Sequence, residues 1–127
     1  MFELSKQFRF DSAHTLERDV SEQKQQSSRR IHGHSYRAEI TLQGDTQPEK
    51  GMIVDFDVLE NALDALHHQL DHQMLNDIPG LGVPTMENLC VWIWQKLTTD
   101  FSNLLRVTVY RDSGGESCVY RGGRIAS

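Results

Sequence analysis

Apolar and polar residues alternate near the start of the chain. Phe2, Leu4, Phe8 and Phe10 fall on one side and Glu3, Gln7, Arg9 and Asp11 on the other, with Lys6 the one break in the apolar row. A period of two belongs to a strand with one buried face, and the pattern predicts a strand ending near Ser12. Residues 16–30, dominated by Glu, Asp, Ser, Gln, Lys and Arg, read as a long loop, a kind of segment that often serves as a lid or binding loop. Alternation resumes with Tyr36, Ala38, Ile40 and Leu42 against Ser35, Arg37, Glu39 and Thr41, so a second strand begins at His32-Gly33-His34. Gly44 to Gly51 reads as a turn or short loop, and Met52, Ile53 and Val54 form a short apolar run ending at Asp55.

The period then changes. Leu59, Leu63, Leu66 and Leu70 recur at three- and four-residue spacing, the stripe of a core-facing helix. Asp55 or Asp57 can cap it, and Asp57 with Glu60 resembles a capping box. The stretch from Ile78 to Pro84 holds too many prolines and glycines to continue a helix. Thr85 is a suitable N-cap for a second helix, with Glu87 in its first turn and Leu89, Ile93 and Leu97 as its stripe. Leu105, Val107 and Val109 predict a third strand. Val119 and Tyr120 predict a fourth, joined to it through Ser113-Gly114-Gly115 as a hairpin turn. Strands and helices grouped in this way indicate an α+β fold: a four-stranded antiparallel sheet with two helices packed on one face, forming one domain over residues 1–127.

Composition narrows the function. Hydrophobic residues at 38% and charged residues at 24% describe an ordered globular chain. A net charge of −5, with no basic cluster denser than Arg29-Arg30, argues against nucleic acid as a partner. No apolar run reaches the length of a membrane span, and the first residues carry a strand pattern instead of a signal peptide. Cys90 and Cys118 lack CxxC spacing and are expected to be buried thiols, neither a disulfide nor a metal pair, with the cytosol as default compartment.

The candidate chemistry centres on His32 and His34. Residues two apart on a strand point to the same face, and His14 shares the parity of the phenylalanine row before it. Three imidazoles from neighbouring strands would supply three nitrogens and leave a fourth position open, as in a catalytic zinc site. A surface HxH pair is the competing reading, because the motif is short. Asp71-His72 reads as a surface dipeptide at a helix end, where a histidine favours the dipole, or as a proton-handling pair. His67 and His68 read as polar-face residues of the first helix.

Taken in order, six segments resemble the 6-pyruvoyl tetrahydropterin synthase family. They are Phe10-Asp11-Ser12-Ala13-His14, His32-Gly33-His34-Ser35-Tyr36, residues 51–56, residues 70–76, residues 84–89 and Tyr120-Arg121-Gly122. The nearest branch is the bacterial 6-carboxy-tetrahydropterin synthases of the queuosine (7-deazaguanine) pathway. The resemblance implies a T-fold (tunnelling fold) subunit assembling into a homohexamer, a dimer of trimers. It implies Zn2+ on His14, His32 and His34, and a pterin substrate, 7,8-dihydroneopterin triphosphate. It makes Asp71 and His72 the catalytic Asp–His pair, at an active site that in this family forms between subunits so that the pair serves a neighbour's zinc, and puts Thr85 and Met86 on the stretch lining the pterin pocket.

Two positions depart from the family pattern. The cysteine that serves as base, four residues before the first histidine of HGH, is here Ser28. A hydroxyl is far less acidic than a thiol of pKa near 8.5. The glutamate that anchors the pterin, eight residues before the tyrosine of Tyr-Arg-Gly, is here Asp112, and Glu116 in the same hairpin competes for the role. The sequence therefore predicts a zinc-dependent lyase of the 6-carboxy-tetrahydropterin synthase type with an altered base. The alternatives are a paralogue with changed pterin chemistry, such as a side-chain aldolase or a 6-pyruvoyl-type synthase, and a catalytically weak pterin- or zinc-binding relative.

Overall fold

The computed structural model describes residues 1–15 and 31–123. Two long strands, β1 (Phe2–His14) and β2 (His32–Gly44), pair antiparallel along their whole length, from Phe2 opposite Gly44 to His14 opposite His32. Helix α1 (Phe56–Leu70) follows, then a two-residue strand β3 (Gln73–Met74), helix α2 (Met86–Leu97) and the strands β4 (Leu104–Arg111) and β5 (Glu116–Tyr120). The sheet order is β3-β1-β2-β4-β5.

The α+β class holds, with two corrections. Among the described residues the sheet has five strands, because β3 adds to the edge of β1 in parallel, Ser12 opposite Gln73 and Ala13 opposite Met74. Two residues are too few to show alternation. What brings them to the edge is a turn at His72, whose left-handed φ of 56° lets its N–H reach the Asp11 carbonyl at 2.7 Å. Secondly, β1 continues past Ser12 to His14, since the pairing with β2 persists to that point.

The apolar parity of the strands and the leucine stripes of the helices meet in one core: Phe10, Tyr36, Ala38, Ile40, Leu42, Val107 and Val109 against Leu59, Leu63, Leu66, Leu70, Leu89, Ile93 and Leu97. In β4 the buried residue is Leu104, whereas simple alternation points to Leu105. A bulge opposite Thr41 and Leu42 shifts the parity by one residue there. Asp55 caps α1 by accepting the Asp57 N–H at 2.9 Å, and Thr85 caps α2 by accepting the Asn88 N–H at 3.2 Å. The opposite sheet face is polar. It carries Gln7 bonded to Glu39, Glu3 to Arg106 and Arg37 to Asp112.

Candidate functional site

His14, His32 and His34 occupy adjoining ends of β1 and β2. His14 pairs with His32 and Ser12 with His34, so the three imidazoles lie on the face that also carries Phe10 and Tyr36. Metal–nitrogen bonds of about 2.0–2.1 Å set ring centroids roughly 5 Å apart around a tetrahedral ion. His14 and His34 stand 4.9 Å apart, and His32 is 6.3 Å from His14 and 6.4 Å from His34. Among the described residues the ligand atoms of the three imidazoles do not all fall within 4.8 Å of one another, so a shared ion would need His32 to move toward the other two rings. His14 is 7% exposed, and its Nδ1 lies 3.3 Å from the Pro84 carbonyl oxygen. With Nδ1–H donating to that carbonyl, Nε2 keeps its lone pair for a metal; such a partner fixes both tautomer and ring orientation. Burial, then the neighbouring imidazoles and the Arg111 guanidinium, hold His14 below the ordinary histidine range. Burial, then Arg111 and His32, do the same for His34, partly opposed by Glu116. Neutral imidazole is the ligating form, so the donor set suits a divalent ion with nitrogen preference.

Asp71 and His72 stand elsewhere on the protomer. Asp71 ends α1, and its Oδ1 accepts the Asp11 N–H at 2.8 Å. That bond is the main reason its carboxyl lies below the ordinary carboxylate range. Its Oδ2 is 3.5 Å from His67 Nε2 and 3.9 Å from His72 Nε2. One ligand atom each from Asp11, Asp71 and His72 fall within 4.8 Å of one another. Asp11 in turn accepts the Ser35 hydroxyl at 2.5 Å. Asp11 and Ser35 are out of phase with the histidines, so this group opens to the other side of the β1–β2 pair. A cleft of about 490 Å³ lies there, lined by Asp11, Gly33, Ser35, His72 and Gln73, with His34 in its wall. Strand parity thus puts the imidazoles and the Asp71–His72 group on different sides of the β1–β2 pair, although His34 and His72 both line this cleft.

The two anchor candidates also separate. Asp112 is bound by Arg37 in two parallel hydrogen bonds, 3.0 and 3.1 Å, with Arg9 at 3.6 Å. Arg37 chiefly holds its carboxyl below the ordinary range. Both arginines have the parity of the polar face, so Asp112 points away from the imidazoles. Glu116 faces Arg111 across the β4–β5 pair, and Arg111 continues the parity of Val107 and Val109. Arg111 Nε and Nη2 reach Glu116 Oε1 at 3.1 and 2.6 Å, and Nη2 reaches Oε2 at 2.7 Å. Burial pushes the Tyr36 phenol up, opposed by the nearby Arg111 guanidinium, and the Tyr36 ring packs 5.9 Å from His34. Glu116, not Asp112, therefore shares a face with the histidines.

Ser28 lies outside the described residues. Thr85 and Met86 open α2 directly after Pro84, so this stretch borders His14 through backbone. Cys90 is no stand-in for the missing thiol, since its Sγ donates to the Cys118 carbonyl at 3.3 Å and burial pushes it up to about 12. Both cysteines are free, Cys90 buried and Cys118 half-buried. Sequence reasoning passed over three neighbours. His67, set aside as a polar-face residue, is nearer to Asp71 than His72 is and stacks edge-on to Phe8 at 6.5 Å; its i,i+4 spacing from Asp71 was the available signal. Tyr36 fell within a family segment without being given a role, and Arg111 carries the correct strand parity but no motif marked it.

The family model described as 6-pyruvoyl tetrahydropterin synthase matches residues 3–123. A 6-carboxy-5,6,7,8-tetrahydropterin synthase of Synechocystis sp. is 40% identical over 102 residues, covering 76% of this chain and 75% of the relative. A dihydroneopterin monophosphate aldolase of Pyrococcus furiosus is 32% identical over 88 residues, covering 69% of this chain and 68% of the relative. The solved 6-pyruvoyl tetrahydropterin synthase of Caenorhabditis elegans superposes with a TM-score of 0.82 at 23% identity, covering 96% of both chains, which shows a common fold. A match running nearly the whole length of the chain, on a sheet carrying these three histidines, makes this protein a member of the 6-pyruvoyl tetrahydropterin synthase family.

Proposed function

We propose that the chain is a zinc-dependent enzyme of the 6-carboxy-tetrahydropterin synthase type, acting on 7,8-dihydroneopterin triphosphate in 7-deazaguanine synthesis. The observation that carries this reading is the convergence of three imidazoles from β1 and β2, one of them tethered to the Pro84 carbonyl. Zinc held by His14, His32 and His34 supplies Lewis acidity toward the hydroxyls of the pterin side chain. Pro84 keeps the His14 ring oriented. Asp71, kept ionised by the Asp11 N–H, holds the proton on a neighbouring imidazole, His72 or His67, while a base takes a proton from the side-chain carbon. Asp71–His72 and the imidazoles lie on different faces of β1–β2, which favours a homo-oligomer in which the pair serves a neighbour's zinc; the family resemblance implies a dimer of trimers.

Ser28 is the weak link. A serine hydroxyl needs a base beside it to act where a thiolate would, so transfer at Ser28 is slow or the reaction has changed. That substitution, together with the resemblance to an aldolase, favours a second reading: cleavage of the pterin side chain. Product analysis with 7,8-dihydroneopterin triphosphate, on the parent and on Ser28→Cys at equal zinc content, separates the two. Carboxy-tetrahydropterin from the parent supports the first reading. Its appearance only in Ser28→Cys refutes the first reading for the parent, and glycolaldehyde from the parent establishes the second.

A further inference from the structure

Asp71 is an acid at the C-terminal cap of α1, where the helix dipole and the last carbonyls disfavour negative charge. Other groups must therefore hold its carboxylate. Oδ1 accepts the Asp11 N–H at 2.8 Å. Oδ2 faces two imidazoles, with His67 Nε2 at 3.5 Å and His72 Nε2 at 3.9 Å. Both stand just outside the usual hydrogen-bond range of about 2.7–3.2 Å, so a small rotation of either ring closes a bond. The two imidazoles share one oxygen.

They differ in freedom. His67 lies in the last turn of α1, edge-on to Phe8 at 6.5 Å and 5.8 Å from the His68 ring. Its carbonyl accepts the Asp71 N–H at 2.8 Å, and residues four apart on a helix face each other. His72 sits beyond the helix on left-handed backbone, far more exposed, and lines the cleft of about 490 Å³ that His67 does not reach. His67 is thus the fixed imidazole and His72 the mobile one. A ring that turns toward a substrate leaves the Asp71 oxygen behind it. Without a second partner, the carboxylate is then free to swing about its own side-chain torsions, held only at Oδ1.

We infer that His67 is a positioning residue for the Asp71–His72 pair: it holds Asp71 Oδ2 in place, so that His72 can turn into the cleft and return to the same acceptor. The inference rests on the reaction proposed above and divides between two imidazoles the task left open there. His72 carries the proton, and His67 fixes the carboxylate without touching the substrate.

Two variants of the full-length protein, compared with the parent at equal zinc content, separate this role from packing. His67→Phe keeps a ring against Phe8 but removes the donor; His67→Gln gives up the ring and keeps an N–H. A displacement of 1 Å in a reacting group costs about 100-fold in rate, and the gap at issue here is smaller. His67→Phe is therefore expected to lower kcat on 7,8-dihydroneopterin triphosphate about tenfold, with KM within about twofold. His67→Gln is expected to recover most of that loss. Hydrogen exchange at the Asp11 amide reads the same effect without turnover, because that N–H is bonded to Asp71 Oδ1. It should be roughly 3- to 10-fold faster in His67→Phe, while the rest of β1 and α1 exchanges as in the parent. In an Asp71→Asn background, His67→Phe should leave the Asp11 exchange rate unaltered, since the two side chains act as one unit. An Asp11 amide unmoved by His67→Phe, an effect that persists in Asp71→Asn, or equal losses of kcat in the Phe and Gln variants overturn the positioning role. A parent that does not turn over 7,8-dihydroneopterin triphosphate overturns the proposed reaction instead, and the Asp11 exchange rates then decide alone whether His67 holds Asp71.

Discussion

Thr85→Ala tests whether a helix cap and a metal ligand are mechanically joined. The Thr85 hydroxyl accepts the Asn88 N–H at 3.2 Å, Asn88 Nδ2 donates to the Val83 carbonyl at 2.8 Å, and Thr85 N donates to the same carbonyl at 2.8 Å. These bonds shape the turn from which the Pro84 carbonyl meets His14. Replacing a threonine cap by alanine typically costs about 1 kcal/mol, within a range of roughly 0.5–2. A 3.2 Å bond lies at the long end of the usual range, which favours the lower half. A chain of this size should then melt roughly 2–5 °C lower. Losing a partner that orients a ligating imidazole costs about 10- to 100-fold in metal affinity. Here the carbonyl remains and only its support loosens, so a loss of about 3- to 10-fold is expected. Thermal melts of the metal-free protein and zinc competition against a chromophoric chelator read the two effects. Thr85→Ser, which restores the acceptor, should restore both. A melting point unmoved by Thr85→Ala refutes the cap; a lowered melting point with unchanged zinc affinity refutes its coupling to His14.

Three further substitutions have defined outcomes. Asp112→Asn should leave pterin affinity within about twofold in a fluorescence titration, because Asp112 is committed to Arg37 on the polar face and the pair is exposed to solvent. A tenfold loss would make Asp112 the anchor. Gly122→Ala should lower the urea midpoint by an amount corresponding to about 1–3 kcal/mol. Gly122 has a φ of +78°, and an added Cβ would stand 2.7 Å from the Trp94 ring; an unchanged midpoint would deny that contact. Asp71→Asn tests linkage. The folded carboxyl lies below its ordinary value of 3.8, so the folded state binds fewer protons and stability from the charge is present above that value. The stability difference between parent and variant should stay constant from pH 7 to about 5, and shrink only as pH falls below 3.8 toward the depressed value. A difference that fades near neutrality would contradict the Asp11 N–H bond as its source.

What could be read from the sequence follows from the range of each signal. Strand parity and helical stripes are local, so β1, β2, both helices and their caps were legible, as was the shared face of His14, His32 and His34. The parity argument failed where a local feature broke it. The bulge at Thr41 and Leu42 exchanged Leu105 for Leu104 as the buried residue. A left-handed His72 made an edge strand from two residues that show no pattern. Counting back from Tyr120 selected Asp112, but counting along the chain cannot tell on which face a turn residue emerges. The ion pair with Arg37 decides that, and it joins residues far apart in sequence. Arg111 was invisible for the opposite reason: its parity was plain, but nothing marked an arginine at a strand end as part of a site until Glu116 and Tyr36 were seen beside it.

Proton transfer needs the acid or base within hydrogen-bond reach of the reacting atom, or one water away. In this protomer the β1–β2 backbone stands between the imidazoles on one face and the Asp11, Asp71 and His72 group on the other, and a sheet held by thirteen-residue strands does not open to let them meet. The left-handed turn at His72 and the bond from its N–H to the Asp11 carbonyl fix the pair at the β1 edge. An enzyme that uses both groups on one substrate must therefore bring them together from two copies of the chain. On the proposed reading, the imidazoles of one subunit and the Asp71–His72 pair of its neighbour serve one substrate. That reading accords with the exposure of His72, whose side chain is 80% accessible.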